Sequence, residues 1–124
     1  MTFTLAVVTA GLSEPSSTRL LADRLTDAVS ARLRSAGHDV LVEVVELRPL
    51  AHGLADNLLT GFASGELEAA VSTVTRADAL IAVTPIFTAS YSGLFKTFFD
   101  VLDKDALTGK PTLCLLYTSD AADE

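Results

Sequence analysis

Residues 9–19 read TAGLSEPSSTR, which places the hydroxyls of Thr9, Ser13, Ser16, Ser17 and Thr18 around Gly11 and Pro15 and ends on Arg19. Hydroxyls donate hydrogen bonds without adding bulk or charge. Gly11 lets the chain turn tightly, Pro15 stiffens it, and a guanidinium at Arg19 can partner an anion. An apolar run precedes this stretch and a helical pattern follows it. The hydroxyls therefore enter a helix N-terminus, whose unpaired N–H groups and dipole favour a phosphate. Read alone, the stretch is equally a solvated loop in which Ser16 or Ser17 caps the helix. A second stretch, PIFTASYSG at 85–93, sets Ile86, Phe87, Thr88, Tyr91 and Ser92 between Pro85 and Gly93. Such a loop can lay backbone amides along the edge of a flat heteroaromatic ring, or it can simply cover the helix below.

Several chemistries are excluded by what these stretches lack. There is no G-x-x-x-x-G-K-[ST] for a nucleoside triphosphate and no G-x-G-x-x-G for a dinucleotide. Residues 10–19 contain no cysteine, which removes a thiol phosphatase, and Ala10, Gly11 and Thr84 stand where a phospho-acceptor domain needs acids. The first loop can hold a phosphate, but nothing near it would cleave one. His38 falls in a helix–strand turn and His52 in an unassigned connection, so both read as structural or solvent-facing, and no catalytic acid, base or nucleophile is expected.

The elements that must position these loops follow from periodicity. Strands are predicted at 3–9, 39–47 and 78–84, the last ended by Pro85. A helix is predicted at 17–36, with Leu21, Leu25, Val29 and Leu33 four apart and Gly37 closing it. A second helix is predicted at 66–77, opened by Ser64, and a third at 94–102, with Leu94, Phe95, Phe98, Phe99 and Leu102 on one side. Residues 48–65 remain unassigned. A fourth strand begins at Thr112. This alternation predicts an α/β fold with a parallel sheet in order 2-1-3-4 and helices on both faces. In such sheets ligands sit beyond the carboxyl ends of the strands, where strand order reverses, and both loops leave strands there.

With 124 residues, 49% of them hydrophobic, the chain is one small domain. A net charge of −7 argues against a nucleic-acid surface. No run is long enough to span a membrane and no basic leader opens the chain, so a cytoplasmic location is expected. One cysteine, Cys114, makes neither an internal disulfide nor a metal cluster. The last eleven residues, CLLYTSDAADE, resemble a translated sequencing-adapter scar, giving an expected boundary between a native 1–113 and a foreign 114–124. Without that tail's three acids the balance is 13 acids against 9 bases, or −4.

Taken together, the two loops resemble those of the NADPH-dependent FMN reductases, which have a flavodoxin-like fold. Ser16-Ser17-Thr18-Arg19 matches the end of that family's phosphate loop, Ser-x-[Asn/Thr]-Arg. Pro85, Phe87, Ser90, Gly93, Phe95 and Lys96 match its Pro-x-[Tyr/Phe]-x-x-Ser-x-x-Gly-x-[Leu/Phe]-Lys signature. The resemblance covers residues 3–113 and looks closest to reductases that supply luciferase-like monooxygenases. It implies that Ser13, Ser16, Ser17, Thr18 and Arg19 hold the phosphate of FMN. Pro85, Ile86, Phe87, Thr88, Tyr91, Ser92 and Gly93 would seat its ring. NADPH or NADH is then the hydride donor, and the full-length protein a homo-oligomer. An electron-transfer flavodoxin, a quinone or azo reductase on the same fold, and a cofactor-free interaction domain stay open. Two departures stand out. Glu14 falls where the family carries Arg and must point outward, and the chain stops before a fifth strand and a third flavin-contacting loop. The chain as given is therefore expected to be a C-terminally truncated, poor enzyme.

Overall fold

The stretch TFTLAVVT is apolar on both faces, and a strand of that kind is stable only when both sides of it are covered. In the computed structural model this is its place. The structure describes residues 2–11, 17–63, 65–87, 90–91, 93–103 and 105–117, with Ser17, Ile86, Phe87, Ser90, Tyr91 and Tyr117 described as backbone only. Strand β1 (Thr2–Thr9) runs parallel to β2 (Asp39–Glu46) on one side and to β3 (Ala79–Phe87) on the other. Beyond β3 lies β5 (Thr112–Tyr117), also parallel, from Leu80↔Thr112 to Pro85↔Tyr117. The main sheet has the expected 2-1-3-4 order, read as β2-β1-β3-β5. A two-residue arm, β4 (Ser90–Tyr91), folds back antiparallel on Ile86 and Phe87 and was not anticipated.

Side chains of β1 and β3 alternate between two apolar layers. Leu5, Val7, Ile81 and Val83 face helix α1 (Ser17–Ser35). Ala6, Val8, Leu80 and Ala82 face the opposite layer. Helices α2 (Ala51–Thr60), α3 (Gly65–Arg76) and α4 (Gly93–Val101) supply Leu54, Leu67, Val74 and the fully buried Phe98 to that layer. Phe98 meets Phe99 edge to face, with ring centroids 5.4 Å apart.

Helix α1 packs its predicted apolar stripe on the sheet, with Leu21, Leu25 and Val29 against the core, and buries a row of small residues beside it. Thr18, Ala22, Thr26 and Ser30 are its buried residues, while Leu21, Leu25, Val29 and Leu33 are half-buried beside them. Small side chains let the helix approach the sheet closely, and the leucines flank the contact. The Thr26 hydroxyl donates back to Ala22 O at 2.7 Å, but the buried Ser30 Oγ has no hydrogen-bond partner among the described residues. Gly37, at φ +95°, ends the helix as expected. His38 N–H returns to Leu33 O and Gly37 N–H to Arg34 O, the paired bonds of a left-handed glycine cap.

Two boundaries needed tertiary context. Residues 48–65 hold a 3₁₀ turn (Arg48–Leu50) and α2. Gly53 and Asn57 weaken the helical pattern there, and burial of Leu50 and Leu54 makes up for it. Ser64, the expected cap of α3, lies outside the described residues. The third strand does not stop at Pro85 but continues to Phe87. Leu80 N–H bonds Pro111 O on the β5 side, whereas Val83 O accepts Ala10 N–H on the β1 side. Alternation then puts Pro85 with Val83, where β1 has already ended at Thr9↔Val83, so its missing N–H forfeits no ladder bond.

Two polar contacts fix the other end of the sheet. Thr4 and Asp78 exchange hydrogen bonds, Thr4 N–H to Asp78 Oδ2 at 2.7 Å and Asp78 N–H to Thr4 O at 2.8 Å. Lys110, just before β5, donates to Val74 O and, at 2.8 Å, to Thr75 O, covering carbonyls at the C-terminus of α3. Burial lowers the Lys110 pKa, and the charge of Asp78 opposes that shift.

Candidate functional site

Because β1 and β3 are adjacent and parallel, the loops that leave them emerge on one edge of the sheet. Thr9 is the last residue of β1 and pairs with Val83, one residue before Thr84. Thr9 O accepts Leu47 N–H at 2.9 Å and Ala10 N–H reaches Val83 O at 3.0 Å, so the ends of β1 and β2 and the middle of β3 are tied together at the root of the first loop. The apolar runs stop here on polar residues that are nonetheless buried: Thr9 is 3% exposed, Thr84 is 0%, and Thr18 in the first turn of α1 is 3%. Thr84 Oγ1 donates to Pro85 O at 3.0 Å.

Of the first loop's expected residues, Ser13 and Ser16 lie outside the described residues. Ser17 opens α1, with Thr18 and Arg19 behind it. Arg19 is already engaged. Its Nε donates to Asp23 Oδ1 at 2.9 Å and its Nη1 to Glu46 Oε1 at 3.0 Å, and these bonds raise its pKa, Asp23 contributing most. Asp23 stands one turn along α1, a spacing visible in the sequence; Glu46 stands on β2, beyond the reach of local pattern. From the second stretch, Pro85, Ile86 and Phe87 continue β3, with Pro85 buried, and Tyr91 pairs with Ile86 through β4. Thr88 and Ser92 lie outside the described residues. Gly93 begins α4, exposed, and its carbonyl accepts from Thr97 Oγ1 at 2.8 Å. Of the matched signature residues, Phe95 packs against the core and stacks at 4.7 Å on Phe99, while Lys96 pairs with Asp100 on the exposed side.

Such an edge suits a phosphorylated planar ligand: a helix start with a buried hydroxyl, a loop root fixed by backbone bonds, and a short arm from the neighbouring strand. Among the described residues no cluster of three or more His, Cys, Asp or Glu side chains could hold a metal. None of the described helices is long and apolar enough to cross a membrane.

The family model for NADPH-dependent FMN reductases matches residues 3–123. The chain belongs to that family. The NADH-dependent FMN reductase SfnF of Pseudomonas putida is 34% identical over 107 residues, covering 86% of this chain and 55% of its own length. An FMN reductase (NADPH) of Pseudomonas aeruginosa is 34% identical over 113 residues, 90% of this chain and 57% of its own. Among solved structures, an oxidoreductase from Corynebacterium diphtheriae superposes with a TM-score of 0.89 at 46% identity, over 92% of this chain and 63% of that one. The apo form of the NADH:FMN oxidoreductase EmoB gives 0.79 at 30%, over 97% and 60%. The chain thus spans little more than half the length of these curated relatives. The family uses FMN with NAD(P)H as reductant, and its fold is the flavodoxin-like one expected.

Proposed function

We propose that the chain carries the FMN-binding portion of an NAD(P)H-dependent FMN reductase, working alone or within a longer protein. The observation that carries this reading is the pairing of Thr9 with Val83. It brings the hydroxyl loop and the Pro85–Gly93 stretch to one edge, at the strand-order reversal where such sheets bind ligands. FMN, when bound, supplies the redox chemistry, accepting hydride from the nicotinamide and passing electrons on. The chain's own residues bind and orient. The α1 N-terminus with Ser13, Ser16, Ser17, Thr18 and Arg19 holds the phosphate, and the stretch from Pro85 to Gly93, with Ile86, Phe87, Thr88, Tyr91 and Ser92, lines the ring. No side chain is assigned a proton transfer.

A flavin-dependent monooxygenase is the proposed consumer of reduced flavin, a reading supported by the resemblance to reductases of that kind. Self-association of the full-length protein is part of the same proposal. Titration of the protein with FMN and riboflavin, followed by NADH and NADPH oxidation with added FMN, tests it. FMN should bind more tightly than riboflavin, and one nicotinamide should be oxidised only when flavin is present. Equal binding of the two flavins, or no flavin-dependent oxidation by the protein lengthened to its relatives' size, overturns the assignment.

A further inference from the structure

The register of the sheet puts a carboxylate where a phosphate site should not want one. Glu46 is the last residue of β2 and the lateral partner of Thr9, from which the first loop departs. Its backbone is therefore about one strand spacing, ~4.8 Å, from the loop's root. Its side chain reaches across to Arg19, whose guanidinium it shares with Asp23. These three side chains together carry one positive and two negative charges. The cation expected to receive the phosphate is thus more than neutralised by its own protein neighbours. All three are substantially exposed, at 38%, 50% and 43% for Arg19, Asp23 and Glu46. Ion pairs of that exposure contribute little to stability, so a structural role alone accounts poorly for the arrangement. A charge this close still acts on a dianion, since screening at physiological salt extends over about 8 Å.

We propose that Glu46 sets the flavin affinity of the site, holding Arg19 in an ion pair that an arriving phosphate must share or displace. The proposal rests on the FMN-binding reading above. It makes Glu46 a positioning and affinity-limiting residue that weakens retention of the phosphorylated flavin. Weak retention suits a protein that releases reduced FMN to another acceptor rather than keeping it. Asp23 stays on Arg19 when Glu46 is changed, so the guanidinium remains oriented.

The test compares Glu46→Gln, which keeps an acceptor for Arg19 but loses the charge, with Asp39→Asn at the other end of the same strand. Asp39 is exposed, seven residues and roughly 23 Å from Glu46, and its loss changes net charge equally. FMN and riboflavin binding are measured by fluorescence titration at low salt and in 1 M NaCl. Glu46→Gln should bind FMN about three- to ten-fold more tightly than the parent at low salt, with riboflavin unchanged. The gain should shrink in about 1 M NaCl, where the screening length falls to about 3 Å. Asp39→Asn should match the parent. Unchanged or weaker FMN binding by Glu46→Gln overturns the proposal, as does an equal gain for riboflavin or an equal gain in Asp39→Asn. If the parent binds FMN no better than riboflavin, the phosphate reading fails and takes this proposal with it. If it prefers FMN but Glu46→Gln does not bind FMN more tightly, this proposal falls alone.

Discussion

Thr18 is the side chain through which the phosphate reading is most directly tested at the scale of a single residue. It is 3% exposed in the first turn of α1, and valine matches its shape without its hydroxyl. Thr18→Val should weaken FMN by about tenfold or more, since a hydrogen bond to a charged group contributes roughly 1.5–3 kcal/mol, and should leave riboflavin binding unchanged. A calorimetric titration with both flavins checks this, and equal losses for the two would show that the change acts on the fold rather than on the phosphate. Ser30 makes the opposite case. Its hydroxyl is buried with no partner among the described residues, and a buried polar group in that state costs about 1–3 kcal/mol. Ser30→Ala should therefore raise stability by about 1 kcal/mol, visible as a higher denaturant midpoint. A lower midpoint would mean that the hydroxyl is satisfied after all.

Lys110 connects two elements, and its removal should be felt in α3. Lys110→Met keeps most of the aliphatic stem but leaves Val74 O and Thr75 O without their donor, at a cost of about 1 kcal/mol and a melting temperature lower by a few degrees. Thermal unfolding followed by circular dichroism checks it; an unchanged midpoint would mean that water replaces the ammonium freely. At this scale the sequence was informative wherever local pattern and tertiary role agree. Strands β1 and β2, helix α1 with its Gly37 cap, and the aromatic face of α4 all follow from apolar spacing. The pattern failed where a distant partner decides. Strand β3 outlasts Pro85 because β1 ends first, and α2 forms around Gly53 because Leu50 and Leu54 find a core. The leucine stripe of α1 packs on the sheet-side core as its spacing implies, but the most deeply buried positions are the small residues Thr18, Ala22, Thr26 and Ser30 beside it. Of the candidate site, the shared edge was legible, because it follows from strand order. Glu46 was not, because only the β1–β2 register brings it to Arg19.

For the molecule as a whole, β5 is the exposed flank. It pairs with β3, Leu113 and Leu116 on it are 44% and 51% exposed, and no other described strand pairs with its far side. An edge of that kind invites association. A version lengthened at the C-terminus to the size of its relatives should stay soluble at higher concentration than residues 1–124, with more flavin bound per chain. Equal solubility and equal flavin content would remove the argument. The bracket between Thr4 and Asp78 has a consequence in time rather than in structure. Strands β1 and β2 are joined through one helix, but β1 must wait for β3, whose first paired residue, Ala79, lies far along the chain from Leu5. A slip of one residue in that late encounter would turn every side chain of β3 to the wrong layer. Two hydrogen bonds at its very start are made only in the correct alignment. Asp78→Ala should therefore slow refolding by several-fold while changing the unfolding rate little, the signature of a contact made before the barrier is crossed. Stopped-flow refolding would show it, and a change confined to unfolding would mean that the bracket closes only after the strands have zipped.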